Sequence, residues 1–154
     1  MAVISVLVAL QAWSEGPFGS QWSEYTQKLA IGPEDAIEQI NVAQSTHGGV
    51  TVSFAPVRLS ECREATEPTE EFEVRTSQLF TRVAAFLDRR VGTDFSELQS
   101  RGLRMQLYVD LRMNQDQFES NLPIELIKAC ARCNLGIYMI SNDISAYEAA
   151  DSDR

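Results

Sequence analysis

The residues best placed to do chemistry are two cysteines three apart, Cys130 and Cys133, in the run Cys130-Ala131-Arg132-Cys133. A Cys-x-x-Cys pair suits redox exchange when a helix N-terminus stabilises the thiolate. The helical pattern here begins at Pro123, so both thiols fall in its last turns, where the dipole acts the other way. Zinc needs four ligands, and only Cys62 and His47 remain to complete a set. A Cys₃His site from His47, Cys62, Cys130 and Cys133 is therefore arithmetically complete but requires every such side chain to converge. Structural thiols are the preferred reading, and no metal or other cofactor is expected.

Nucleophilic catalysis has little to draw on. A Ser-His-Asp or Cys-His enzyme would have to use His47, the single histidine, which stands beside Gly48-Gly49 in a turn-like stretch. No serine occupies a Gly-x-Ser-x-Gly setting, and there is no phosphate-cradling glycine loop or dinucleotide fingerprint. Adjacent carboxylates at Glu34-Asp35 and Glu70-Glu71 read as solvated turns and helix starts. The rival to a binding protein is a small-ligand or hydrolytic domain using carboxylates, His47 or the cysteines in a pocket. No residue is assigned a catalytic role.

A different chemistry, recognition, is suggested by Trp13 and Trp22 with Glu15 and Glu24 beside them, followed by Glu34, Asp35 and Glu38. Large aromatics anchor interfaces, and clustered carboxylates steer basic partners. The 154 residues carry a net charge of −9, unevenly spread. Residues 1–67 hold eight carboxylates against three basic side chains, whereas 68–102 are nearly balanced. Such a surface repels phosphate backbones and anionic lipid, so neither nucleic acid nor membrane is an expected partner.

These residues must be held by a framework, and the clearest part of it is residues 103–113. Leu103, Met105, Leu107, Val109, Leu111 and Met113 alternate with Arg104, Gln106, Tyr108, Asp110 and Arg112. Period two over that length puts the apolar set on one face only if the chain is extended. Residues 3–10 are almost continuously apolar and rich in Val and Ile, which predicts a central strand. The absence of a preceding basic residue and of a small-residue cleavage site argues against an export signal. Three cysteines without a disulfide framework then predict a reducing cytoplasm.

Between these strands, 14–19 reads as a turn and 20–31 as a helix stopped by Gly32-Pro33. Residues 34–44 fit either a helical stripe or a strand. The Gly48-Gly49 loop and the alternation of Val50, Val52 and Phe54 favour a hairpin. Residues 60–68 form a polar connection. Phe72, Thr76, Leu79, Phe80, Val83, Phe86, Leu87 and Val91 recur at three and four, predicting a long amphipathic helix from Thr69 to Gly92. Asp94 caps a short helix, 114–121 is a polar loop, and Pro123 opens a helix with Ile124, Leu126, Ile127, Cys130 and Ala131 turned inward. Residues 135–140 form the last strand.

This order resembles a bacterial family known only as domain of unknown function forty-two seventy-nine. The matching features are the N-terminal strand and Leu29-Ala30-Ile31-Gly32-Pro33 at the end of a helix. The long middle helix, the Gly102-led strand, Leu122-Pro123-Ile124-Glu125-Leu126 and a closing strand reaching Asp143 complete them. A tryptophan common in such proteins before the long helix has no counterpart; Phe54 or Phe72 stands nearest. The resemblance implies a fold over residues 3–143 and no activity.

The expected architecture is one α+β domain, residues 1–144, with an acidic tail at 145–154. Its mainly antiparallel sheet of about five strands has the helices packed on one face. The expected function is a non-enzymatic protein-binding module, in its sharper form an immunity-type inhibitor that neutralises a basic toxin through an acidic surface. A homodimer through an uncovered sheet edge is a further expectation.

Overall fold

A computed structural model describes residues 4–14, 29, 31–43, 49–58, 68–90, 95–100, 102–113 and 121–143. The expected turn and helix at 14–31 (apart from Ser14, Leu29 and Ile31), the connection at 59–67 and the tail at 145–154 lie outside them. So do Glu15, Trp22, Glu24, His47, Cys62 and Asp94.

Five strands form one continuous path in the order β2-β3-β1-β5-β6. They are β1 Ile4–Trp13, β2 Ile37–Ala43, β3 Gly49–Phe54, β5 Arg104–Met113 and β6 Gly136–Asp143. A two-residue β4, Val57–Arg58, also pairs with β1. All pairings are antiparallel except β5 with β6. A parallel pair needs a crossover, and the helix begun after Pro123 supplies it. The fold is α+β, and residues 37–43 and 49–54 pair antiparallel, as the hairpin reading expects.

β1 is central because its sequence suits burial along its whole length. Val6, Val8, Leu10 and Ala12 face the core, pairing with Leu111, Val109, Leu107 and Met105 of β5. On this face the alternation in β5 is reproduced: Met105, Leu107 and Val109 are buried, while Arg104 and Arg112 on the other side are exposed. Asp110 departs from the expected wet face. It is buried, and its Oδ2 accepts a 2.9 Å bond from Arg112 Nε two residues along the same side. Gly102, at φ 96°, makes the left-handed turn into β5 that a side chain would resist.

Helix α1, Pro68–Asp88, covers the core face with Phe72, Leu79, Phe80, Val83, Phe86 and Leu87. Phe86 meets Phe54 of β3 edge-on, with ring centroids 5.2 Å apart. The short α2, Phe95–Ser100, contributes Phe95 to the same core. Helix α3, Ile124–Arg132, packs on α1 and β6.

The buried face of α3 agrees with the expected one at Leu126 and Cys130 and departs from it at Ile124, Ile127 and Ala131. Leu126, Ala129 and Cys130, continued by Cys133, turn inward, whereas Ile124, Ile127 and Ala131 are exposed. Both sets recur at three and four, so either could form a helix stripe. The structure selects the one containing both cysteines, because Cys133 then reaches the last turn of α1 and its thiol donates to Leu87 O at 3.4 Å. Asn134 ends α3 at φ 55°, and Leu135 N returns to Cys130 O at 2.8 Å, closing the helix with a left-handed cap.

Candidate binding face

The described helices α1 and α3 lie on one side of the sheet; the register places a second set of side chains on the other. Trp13 pairs with Arg104, Gln11 with Gln106, and Ala9 with Tyr108. Tyr108 in turn pairs with Tyr138 of β6. Since pairs in register share a face, these residues form successive rows of one surface. Gly49, Thr51 and Ser53 continue the rows into β3, and Asn41 and Gln39 into β2.

The rows are linked by specific contacts. Gln106 Nε2 donates to Gln11 Oε1 at 2.8 Å, bridging β1 and β5. The rings of Tyr108 and Tyr138 stack with centroids 5.9 Å apart and planes 12° from parallel. Tyr138 remains 52% exposed. Tyr108 is held partly under its neighbours. Burial and the adjacent Asp110 push its phenol above the usual range, against the opposing pull of Arg112. The result is a mixed surface of rings and amides whose exposed charges, among the described residues, are the guanidinium groups of Arg58, Arg104 and Arg112, with the Asp110 carboxylate buried beside them. Stacking and hydrogen bonding are the contacts such a surface offers.

Of the residues singled out for partner binding, Trp13 lies on this face, half-buried at its β1–β3 end. Glu34, Asp35 and Glu38 are elsewhere, at the far end of β2. Glu38 is five positions along β2 from Ala43, which is in line with Gly49 and Trp13, so roughly 17 Å divides them along the strand at the usual rise. The structure does not bring Trp13 and these carboxylates together.

Glu34 and Asp35 also part company. They belong to a 3-10 turn, Pro33–Asp35. Glu34 points to solvent, with Arg89 Nη1 3.6 Å away. Asp35 is 1% exposed. Its Oδ2 accepts from Gly32 N at 2.8 Å and lies 3.8 Å from Arg90 Nη2, while its Oδ1 contacts Arg89. Arg90 donates to Phe86 O at 2.6 Å and to Leu29 O, and lies over the Phe86 ring. Asp35 therefore fastens the turn to the end of α1, and its charge is directed inward. Glu38 occupies the bulge where the register shifts between Ile37 and Gln39, and is exposed.

Cys130 and Cys133 are free thiols in the core. Burial pushes the Cys130 thiol up to about 11, with Cys133 adding to the effect. Cys133 moves the same way through burial and the nearby Asp88. Raised thiols are poor nucleophiles and poor metal ligands near neutral pH. Among the described residues, no three His, Cys, Asp or Glu side chains stand together as a metal site. A cleft of about 250 Å³ between α1 and the β3–β4 segment is lined by Arg75, Gln78, Arg82, Ala55, Pro56 and Val57. It contains neither a cysteine nor a carboxylate.

Tyr108 and Tyr138 were not legible as a pair because their sequence separation says nothing about strand register. The alternation in β5 does place Tyr108 on the polar side. No family model, curated protein or solved structure matches the chain. No helix among the described residues is long and apolar enough to cross a membrane.

Proposed function

We propose that this chain is a protein-binding module that docks its partner on the face of the sheet opposite the described helices. The observation that carries this reading is the stacked Tyr108–Tyr138 pair, exposed on its β6 side and set among Gln11, Gln106, Trp13 and Arg104. Rigid aromatics with polar neighbours concentrate binding energy at little entropic cost. In its finer form the module is an immunity-type inhibitor that captures a basic toxin in the cytoplasm. The net charge of −9 supports steering of such a partner, and exposed Glu34 and Glu38 contribute to it. Free, buried thiols accord with a reducing compartment.

Immobilised protein should retain a specific basic protein from a lysate of its source, with retention falling as salt rises. Sequencing the adjacent genes would identify a toxin candidate to present in pure form. Failure of the protein to retain any partner, with no toxin-like neighbour, would sink the proposal.

A further inference from the structure

Besides its core-facing stripe, helix α1 carries a second one. Arg75, Gln78 and Arg82 follow one another at intervals of three and four, so they share a side of the helix. This stripe lines the cleft of about 250 Å³ whose opposite wall is Ala55, Pro56 and Val57. Val57 is in line with core-facing Val6, so the cleft lies on the α1 side of the sheet, away from Tyr108 and Tyr138. The two walls differ in chemistry. Ala55 N is already bonded to Ala36 O at 2.9 Å and Pro56 has no N–H, which leaves that wall apolar. The polar side chains of the lining all belong to α1, and the charged ones are both guanidinium groups.

Charge pairing separates the two arginines. Arg75 Nη2 holds Glu71 Oε1 at 3.0 Å, one turn back along the helix. Arg89, Arg90, Arg112 and Arg132 likewise each meet a carboxylate. Arg82 is half-buried, yet it meets no carboxylate and makes no hydrogen bond among the described residues. That is unexpected in a chain with 22 acidic and 13 basic side chains. The exposed Gln78 amide, between the two arginines, is also unengaged among the described residues. A guanidinium beside an apolar wall gives up part of its hydration, and a counter-anion offsets that loss.

We infer that this cleft binds a small organic oxyanion, a carboxylate or a phosphate monoester, with Arg82 as its anchor. A guanidinium presents a planar fork of N–H donors that matches either group through two parallel bonds. Gln78 adds a neutral donor beside it, and Arg75, while holding Glu71, adds positive potential. Ala55, Pro56 and Val57 receive the organic part, so a bare anion gains less than one with an apolar body. Size sets the scale of the ligand. Pockets for drug-sized molecules run from about 300 to 1,000 Å³, and this cleft is smaller. An acidic peptide is disfavoured, because an extended chain needs backbone partners and neither Ala55 nor Pro56 has an N–H to offer. The site is independent of what the Tyr108 face binds.

Titration of the full chain with phenyl phosphate, benzoate and inorganic phosphate, followed by proton–nitrogen NMR, tests the inference. Phenyl phosphate or benzoate should shift the Arg82 Nε–H and Gln78 side-chain resonances and saturate in the millimolar range or below. The tighter of the two identifies the headgroup, and inorganic phosphate should bind more weakly than either. Arg82→Gln removes a side chain without a described partner, so circular dichroism should be unchanged while affinity falls at least about tenfold. Lys128→Gln removes the same charge from an exposed position on α3 and should leave affinity within about twofold. Absence of saturable shifts with both organic probes up to the high-millimolar range would overturn the inference. So would equal affinity of wild type and Arg82→Gln, or inorganic phosphate binding as tightly as the organic probes. An equal loss in Lys128→Gln would reduce the effect to unspecific attraction of anions and overturn it too.

Discussion

Asp35 Oδ2 lies 3.8 Å from Arg90 Nη2, with both side chains buried where the Pro33 turn meets the end of α1. The aspartate also receives Gly32 N, and the arginine also reaches the Phe86 and Leu29 carbonyls. These extra bonds let a charged pair tolerate removal from water. They also tie the entrance of β2 to the helix that covers the sheet.

Removing one partner strands the other. Asp35→Ala should cost on the order of 3–5 kcal/mol, because Arg90 is left charged in the interior. Asp35→Asn keeps the hydrogen-bonding shape and should cost less. Urea unfolding of the two variants checks the order. A loss below about 1 kcal/mol for Asp35→Ala would show that the pair is not holding the turn.

Ala36 follows Asp35 with φ 50° and ψ 48°, a left-handed conformation unfavourable for a residue with a Cβ. Its carbonyl is held by Ala55 N at 2.9 Å, so the strand hairpin fixes it there. Glycine relieves the clash but adds freedom to the unfolded chain. The balance predicts that Ala36→Gly stabilises the protein by about 0.5–1 kcal/mol. Thermal unfolding should show a raised midpoint; a lowered one would contradict the prediction.

The Cys130 thiol has an ordinary value of 9.0 and is moved up to about 11 in the folded chain. The unfolded chain therefore loses this proton first. The corresponding stability is fully present below pH 9 and is lost as pH rises through about 11. Denaturant midpoints measured from pH 8 to 11 should fall, and Cys130→Ala should fall less steeply from a lower starting value. Equal slopes would remove the thiol from the alkaline transition.

How far the chain could be read follows from the length of each periodic signal. β5 and α1 repeat their patterns many times, so no other element type buries the same residues. α3 is nine residues long and offers two overlapping stripes. Packing of Cys133 against Leu87 decided between them, a long-range contact with no local signature. At Glu34-Asp35, adjacent carboxylates look equivalent in sequence, yet one faces water and the other two arginines. The Tyr108–Tyr138 stack depends on a parallel register created by the β5–α3–β6 crossover. Trp13 could be recognised as an aromatic worth attention, but its distance from Glu38 could not.

The central claim is that the tyrosine-bearing face of the sheet, rather than the carboxylates of the Pro33 turn and β2, makes the contact. Wild type, Tyr108→Ala/Tyr138→Ala and Glu34→Lys/Glu38→Lys should be compared for binding kinetics to the partner captured by the wild-type protein. The tyrosine variant should dissociate at least about thirtyfold faster. The charge-reversed variant should associate more slowly, with a flatter salt dependence and nearly unchanged dissociation. Unchanged dissociation of a correctly folded tyrosine variant, with binding abolished by the charge reversal, would contradict the account.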